Sequence, residues 1–238
     1  MTIESRISIY NHISVSNTGS DSANINTTAV LDGDEWVLNG EKIFVTDGER
    51  SDTLVVWATL DKSLGKAAIK SFIVEKGTPG FSVSRDVQKM GLRTAPMGEL
   101  LLQDCFVPVQ NRLGAEGAGV SIFNSSMEWE RSCILAGQIG TMEHQLETCI
   151  RYARERRQFG KPIGKFQSVS NRIADMKVRV ETARLLLYKV AWLKKSGKPA
   201  TMEAAMAKLY LSECFVQSSL DAIRIHGGYG YMTELEVE

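Results

Sequence analysis

Phe166, Val169, Ile173, Met176, Val180, Ala183, Leu187 and Val190 follow one another at steps of 3, 4, 3, 4, 3, 4 and 3 residues. Only an α-helix gathers that spacing into one stripe, and an apolar stripe of this kind must be covered by further helices. The segment ends at Ser196-Gly197-Lys198-Pro199, a glycine and a proline in the usual order for a helix stop. Upstream, after "GAEGAG" (114–119), the residues Ile134, Leu135, Ile139, Met142, Leu146, Cys149 and Ile150 recur at helical spacing and predict a helix over Val120 to Phe159. Downstream, a third helix is predicted from Thr201, read as its N-cap, through Met202, Ala205, Leu209, Val216, Leu220 and Ile223 to Gly227-Gly228. Three long helices with apolar seams need a fourth surface, supplied by another subunit or by a further length of chain.

Residues from about 26 to 109 read differently. "TTAVLDGDEWVLNG", "EKIFVT", "DTLVVWATL", "AIKSFIVEKGTPGFSVSRDV" and "GELLLQDCFVP" are short β-branched or aromatic runs closed by Gly, Asp, Asn or Pro. They predict strands joined by tight turns, in a small antiparallel sheet or open barrel. The expected class is α+β, with residues 1–13 unassigned, a β domain over 14–114 and an incomplete helical bundle over 115–238, three long helices of an up-down four-helix bundle.

The totals exclude several functions. Lys+Arg 28 against Asp+Glu 28 argues against a nucleic-acid partner held by bulk charge. Cys105, Cys133, Cys149 and Cys214 form no C-x-x-C and do not pair with His12, His144 or His226 at metal-ligand spacing, so reduced, mostly buried thiols and no metal are expected. No apolar run approaches the roughly 20 residues of a membrane span, and the N-terminal residues lack a signal-peptide core. A cytoplasmic or mitochondrial-matrix location is expected. Against this neutral background, "RERRQFGKPIGKFQ" (154–167) stands out for its five positive charges. Taken alone it is either a solvated basic helix end or a set of fork-shaped donors for a phosphate group.

Six stretches in register resemble successive signatures of the acyl-CoA dehydrogenase family: "GSD" (19–21), "LNGEKIFVTDG" (38–48), "KMGLRTAPMGELLLQDCFVP" (89–108), "ERRQFGKPIGKFQ" (155–167), "AAMAKL" (204–209) and "HGGYGYMTE" (226–234). The resemblance covers roughly residues 18–238. It implies an FAD enzyme with a middle β domain and a C-terminal helical domain, in which a carboxylate takes the proton α to a thioester carbonyl and the β hydride passes to flavin N5. A homo-oligomer (dimer or tetramer) and electron-transfer flavoprotein as acceptor are implied likewise. The family's N-terminal helical domain and last bundle helix have no counterpart in the sequence, which therefore resembles a truncated member.

The same resemblance implies roles residue by residue. Arg156 faces the FAD pyrophosphate of a neighbouring protomer, with Gln158 and Phe159 beside it. Phe44 stacks on the flavin and Thr46 bonds its N5 edge. Ser20 touches flavin or substrate. Gly227 and Gly228 permit close backbone approach to the adenosine side, or merely end a helix. Arg224 stands where many members carry glutamine. Glu130, directly before Arg131 in "SMEWERSCILAG" (126–137), takes the position of the base in one branch of the family; the other branch uses a later loop with no counterpart here. Trp129 beside it offers desolvation that raises a carboxyl pKa, and Arg131 assists the substrate. The Glu-Arg placement occurs in members acting on branched or long acyl-CoAs and in relatives that oxidise carrier-bound aminoacyl groups such as prolyl; "IGKFQSVSNRIADMKVRVETARLLLYKVAWL" (163–193) resembles the latter group. A non-catalytic fragment, or one half of a split enzyme, remains the alternative of another class.

Overall fold

The computed structural model describes residues 9–12, 21–235 and 237. The chain divides into two compact units, Met1–Ser126 and Met127–Glu238.

The first unit is built on an eight-stranded sheet with the order β6-β7-β3-β2-β4-β5-β8, β1 pairing with β4 off this path. The strands are β1 (Ile9–His12), β2 (Thr28–Asp32), β3 (Glu35–Thr46), β4 (Thr53–Thr59), β5 (Ile69–Glu75), β6 (Phe81–Asp86), β7 (Met97–Pro108) and β8 (Arg112–Leu113). Most neighbours are antiparallel, as expected, but β1 and β2 run parallel to β4, so the sheet is mixed. The open-barrel alternative is corrected. β6 and the two-residue β8 lie at opposite ends of the strand order, and β8 is too short to close a wall. Part of the segment left unassigned by sequence, Ile9–His12, is β1.

Between its terminal threonines the run "TLVVWAT" is apolar throughout, residues 54–58, because β4 is buried on both faces. Leu54, Val56 and Ala58 join a core with Trp36, Leu38, Phe72, Leu100 and Val107. Val55 and Trp57 face the other way, against Ile25, Ile69, Val120 and Phe123. That second layer includes the start of α1 (Gly119–Glu130), where a Cβ on Gly119 would sit 2.2 Å from the Ile69 carbonyl oxygen, so only glycine lets the helix approach β5.

The second unit holds the end of α1 and three long helices, α2 (Leu135–Glu155), α3 (Gln167–Lys195) and α4 (Thr201–His226). The 3-4 seam of α3 is inward as predicted: Met176, Val180, Ala183 and Val190 are buried against α2 and α4. Three expectations need correction. The helix predicted over Val120 to Phe159 is broken at 131–134, where the Ser132 hydroxyl donates to the carbonyls of Glu128 and Trp129 and competes for the helix's last acceptors. It also stops at Glu155, after which β9 (Arg157–Gln158) and β10 (Lys161–Pro162) form a hairpin. Thr201 is the first residue of α4 rather than its cap, Ala200 taking that place, because its hydroxyl is engaged by Glu128. The apolar face named for α4 is reversed as well. Ala204, Ala207, Leu211 and Cys214 are buried, whereas Met202, Leu209, Val216 and Leu220 are exposed. Alanines make up much of the buried face and let α4 lie close to its neighbours, with Leu211 and Ile225 as the large side chains packed there.

Candidate functional site

At the end of α4 the chain reverses at Gly227, whose φ of 61° suits a residue without Cβ. A Cβ on either Gly227 or Gly228 would meet no atom within 4 Å, so the backbone of both faces open space. That space is a cavity of about 520 Å³ lined by Tyr152, Arg156, Gln158, Ile163, Ile225, His226, Gly227, Gly228, Tyr229 and Met232. Its wall is aromatic. The Tyr152 and His226 rings lie 4.3 Å apart at 30°, and the Tyr152 hydroxyl donates to the His226 carbonyl at 3.4 Å. His226 is itself buried, its Nδ1 2.8 Å from the Ala222 carbonyl oxygen. The Arg156 guanidinium carbon is 6.0 Å from the centre of the Tyr229 ring, which leaves an exposed cation at the rim.

The hairpin that follows Arg156 turns through two residues, Phe159 and Gly160, both with positive φ (49° and 79°). Such a turn ordinarily takes Asn-Gly; a phenylalanine there is strained. Its side chain is 92% exposed, with one edge-on contact to Phe166. Phe44, in the first unit, is comparable. The register of β3 on β7 slips between Lys42 and Val45, so two residues of β3 oppose one of β7, and Phe44 in that bulge has φ 59° and is 55% exposed. A bulge re-aims side chains, here turning Phe44 outward while Val45 stays in the core. In each case an aromatic ring is held in a costly backbone state with little packing to offset it.

The profile of the acyl-CoA dehydrogenase C-terminal domain matches residues 117–238, and that of the middle domain residues 13–105. The chain belongs to the acyl-CoA dehydrogenase family. It is 44% identical over 229 residues to an L-prolyl-[peptidyl-carrier protein] dehydrogenase of Pseudomonas fluorescens, covering 96% of this chain and 60% of that one. With the short-chain specific acyl-CoA dehydrogenase of Clostridium acetobutylicum it shares 41% over 222 residues, 93% of this chain and 59% of that one. The solved structure "PigA with FAD and proline" superposes with a TM-score of 0.93 at 41% identity, over 96% of this chain and 60% of the other. This chain thus spans about 60% of the length of the curated relatives it matches.

Of the residues the family resemblance singled out, Arg156, Gln158, Gly227 and Gly228 line one cavity. Phe159 stands outside it at the hairpin tip. Arg224 turns instead toward Asp221, 3.5 Å away. Phe44 and Thr46 lie in the first unit, on the bulged end of β3. Ser20 lies outside the described residues. Glu130 is the exposed last residue of α1, and Arg131 follows it in the turn. Trp129 packs against the Lys194 ammonium, 4.7 Å from its ring centre. Sequence reading missed Tyr152, His226 and Tyr229. The signal for two of them was the "HGGYGY" run itself; Tyr152 carried none, since its place at the wall depends on how α2 packs against α4.

Proposed function

We propose that this chain supplies the flavin-facing and base-bearing parts of an FAD-dependent enzyme that desaturates an acyl thioester. The cavity shared by Arg156, Gln158, Gly227 and Gly228 carries the reading. A pyrophosphate needs fixed donors and a backbone that it can approach closely; an exposed arginine and two glycines without obstruction provide both. These residues fit FAD. Arg156 and Gln158 would hold the phosphates of a neighbouring protomer's FAD, with Gly227 and Gly228 at its adenosine side and Arg224 turned away toward Asp221; Phe44 and Thr46, in the first unit, would face the ring system of the chain's own FAD. When bound, FAD supplies the hydride acceptor.

The chain's own task is proton removal. Glu130 takes the α proton of the thioester as its carboxylate becomes a carboxylic acid, and Arg131 steadies the acyl group beside it. The electron pair left at Cα becomes the new double bond as hydride departs from Cβ, which balances the two-electron oxidation. Ser20 is proposed to touch flavin or substrate. An electron-transfer flavoprotein or similar acceptor, a homo-oligomer and a cytoplasmic or matrix setting complete the reading; among the described residues no helix is long and apolar enough to cross a membrane.

Two carriers fit. The acyl group rides on coenzyme A, or a prolyl-type aminoacyl group rides on a carrier protein; the 44% identity to a prolyl-carrier dehydrogenase supports the second. Anaerobic bleaching of the flavin by butyryl-CoA or by prolyl-loaded carrier protein decides between them. Glu130→Gln should keep flavin and lose bleaching with either donor; retained bleaching removes Glu130 from the role. A colourless protein that takes up no FAD when it is added in excess sinks the whole reading and leaves a non-catalytic fragment.

A further inference from the structure

Glu128 precedes Glu130 by two residues near the end of α1, and its carboxylate joins two other helices. One oxygen accepts from the Lys194 ammonium at 2.6 Å, at the end of α3. The other accepts from the Thr201 hydroxyl, at the start of α4. The pair is sheltered, with Lys194 12% and Glu128 21% exposed, and Lys194 also covers the face of Trp129. At 3.6 residues per turn, side chains two apart project about 200° from each other. Tying Glu128 to the α3–α4 turn therefore sets the rotation of the last helical turn and points Glu130 to the opposite, exposed side. The hydrogen bonds from Lys194 and Thr201 hold the Glu128 carboxyl below the usual carboxylate range, which makes it a poor base itself.

We propose that Glu128, clamped by Lys194 and Thr201, is a positioning residue that aims Glu130; this rests on Glu130 being the base. The last turn of a helix frays when nothing holds it. Here the amides of Arg131 and Cys133 donate to the carbonyls of Met127 and Trp129 and the Ser132 hydroxyl to those of Glu128 and Trp129, while the clamp ties that turn to α3 and α4.

The test uses flavin-loaded Glu128→Ala, Glu128→Gln, Lys194→Met and Glu130→Gln proteins. Two quantities are followed: substrate-dependent flavin bleaching, and amide hydrogen exchange over residues 127–133. Misplacing a reacting group by about 1 Å costs roughly 100-fold, so Glu128→Ala and Lys194→Met should lose about 10- to 100-fold in kcat with KM little changed. Their amides at 131–133 should exchange faster while FAD content stays at the wild-type level. Glu128→Gln, which keeps the Thr201 contact, should fall between, and it carries the test if the alanine variant does not fold. Wild-type bleaching and exchange in Glu128→Gln and Lys194→Met, alongside an inert Glu130→Gln, overturn the positioning role alone. Full bleaching by Glu130→Gln overturns the base assignment, and the positioning role with it.

Discussion

The ammonium of Lys42 donates a 2.7 Å hydrogen bond to the carbonyl of Trp57, in the middle of the sheet and out of reach of solvent. The sheet explains it: β4 is paired to β1 up to Val56 and to β2 at Thr59, and Trp57 falls between the two partners. Lys42 reaches from β3 into that gap.

Burial pushes the Lys42 pKa down to about 7. Between that value and the ordinary lysine value near 10.5, the unfolded chain keeps its proton and the folded chain has released it. Stability should therefore rise with pH across this window, by about 2–3 kcal/mol between pH 6 and pH 9. Lys42→Met should flatten the profile, so that wild type gains on the variant as pH rises. Urea unfolding at several pH values measures it; parallel profiles would contradict the cause given.

Asp221 is almost fully buried and accepts from Arg172 at 2.6 Å and from Arg179 at 2.9 Å. Burial alone would raise its pKa, but the two arginines outweigh that and hold the carboxyl below its ordinary value. Its contribution is present above the ordinary aspartate range and is lost as pH falls through the lowered value. Asp221→Asn leaves partly exposed arginines without their countercharge, at a cost of about 1.5–3 kcal/mol. A Tm lower by roughly 5–10 °C is expected in calorimetry at neutral pH.

At the hairpin tip, Phe159→Asn replaces a strained residue with one that tolerates positive φ. The variant should gain about 0.5–1 kcal/mol in stability while retaining less FAD after gel filtration. A variant both more stable and equally yellow would show that the exposed ring has no part in cofactor retention.

The outward face of α4 sets a further expectation. Leu209 is 70% exposed and Met202 68%. Leu209→Glu should change the stability of the 1–238 chain by less than about 0.5 kcal/mol and raise its solubility, since it replaces a strongly exposed apolar side chain with a charge. Light scattering and thermal melting together report both; a large loss of Tm would mean that the face is covered in solution.

Much of the architecture follows from local pattern alone. The 3-4 spacing from Phe166 to Val190 and the Gly-Pro stop after α3 act within one helix, so they were legible as written, and the double-faced burial of β4 is already visible in its unbroken apolar run. Arg156, Gln158, Gly227 and Gly228 were singled out by the family resemblance, since local pattern alone reads them as a basic helix end and a helix stop. Other features depend on what comes near in space. Thr201 reads as a helix cap until Glu128 takes its hydroxyl, Met202 and Leu209 read as a seam until another face of α4 proves to be the one packed, and nothing in the sequence marks Lys42 as the donor that fills a gap beside Trp57. Periodicity says that a helix has an apolar stripe, but which of two stripes is buried depends on the shape of the neighbouring helices. Tertiary packing alone could choose the face of α4, bring Tyr152 and His226 to one wall, and tie Glu128 to Lys194 across sixty-six residues of chain.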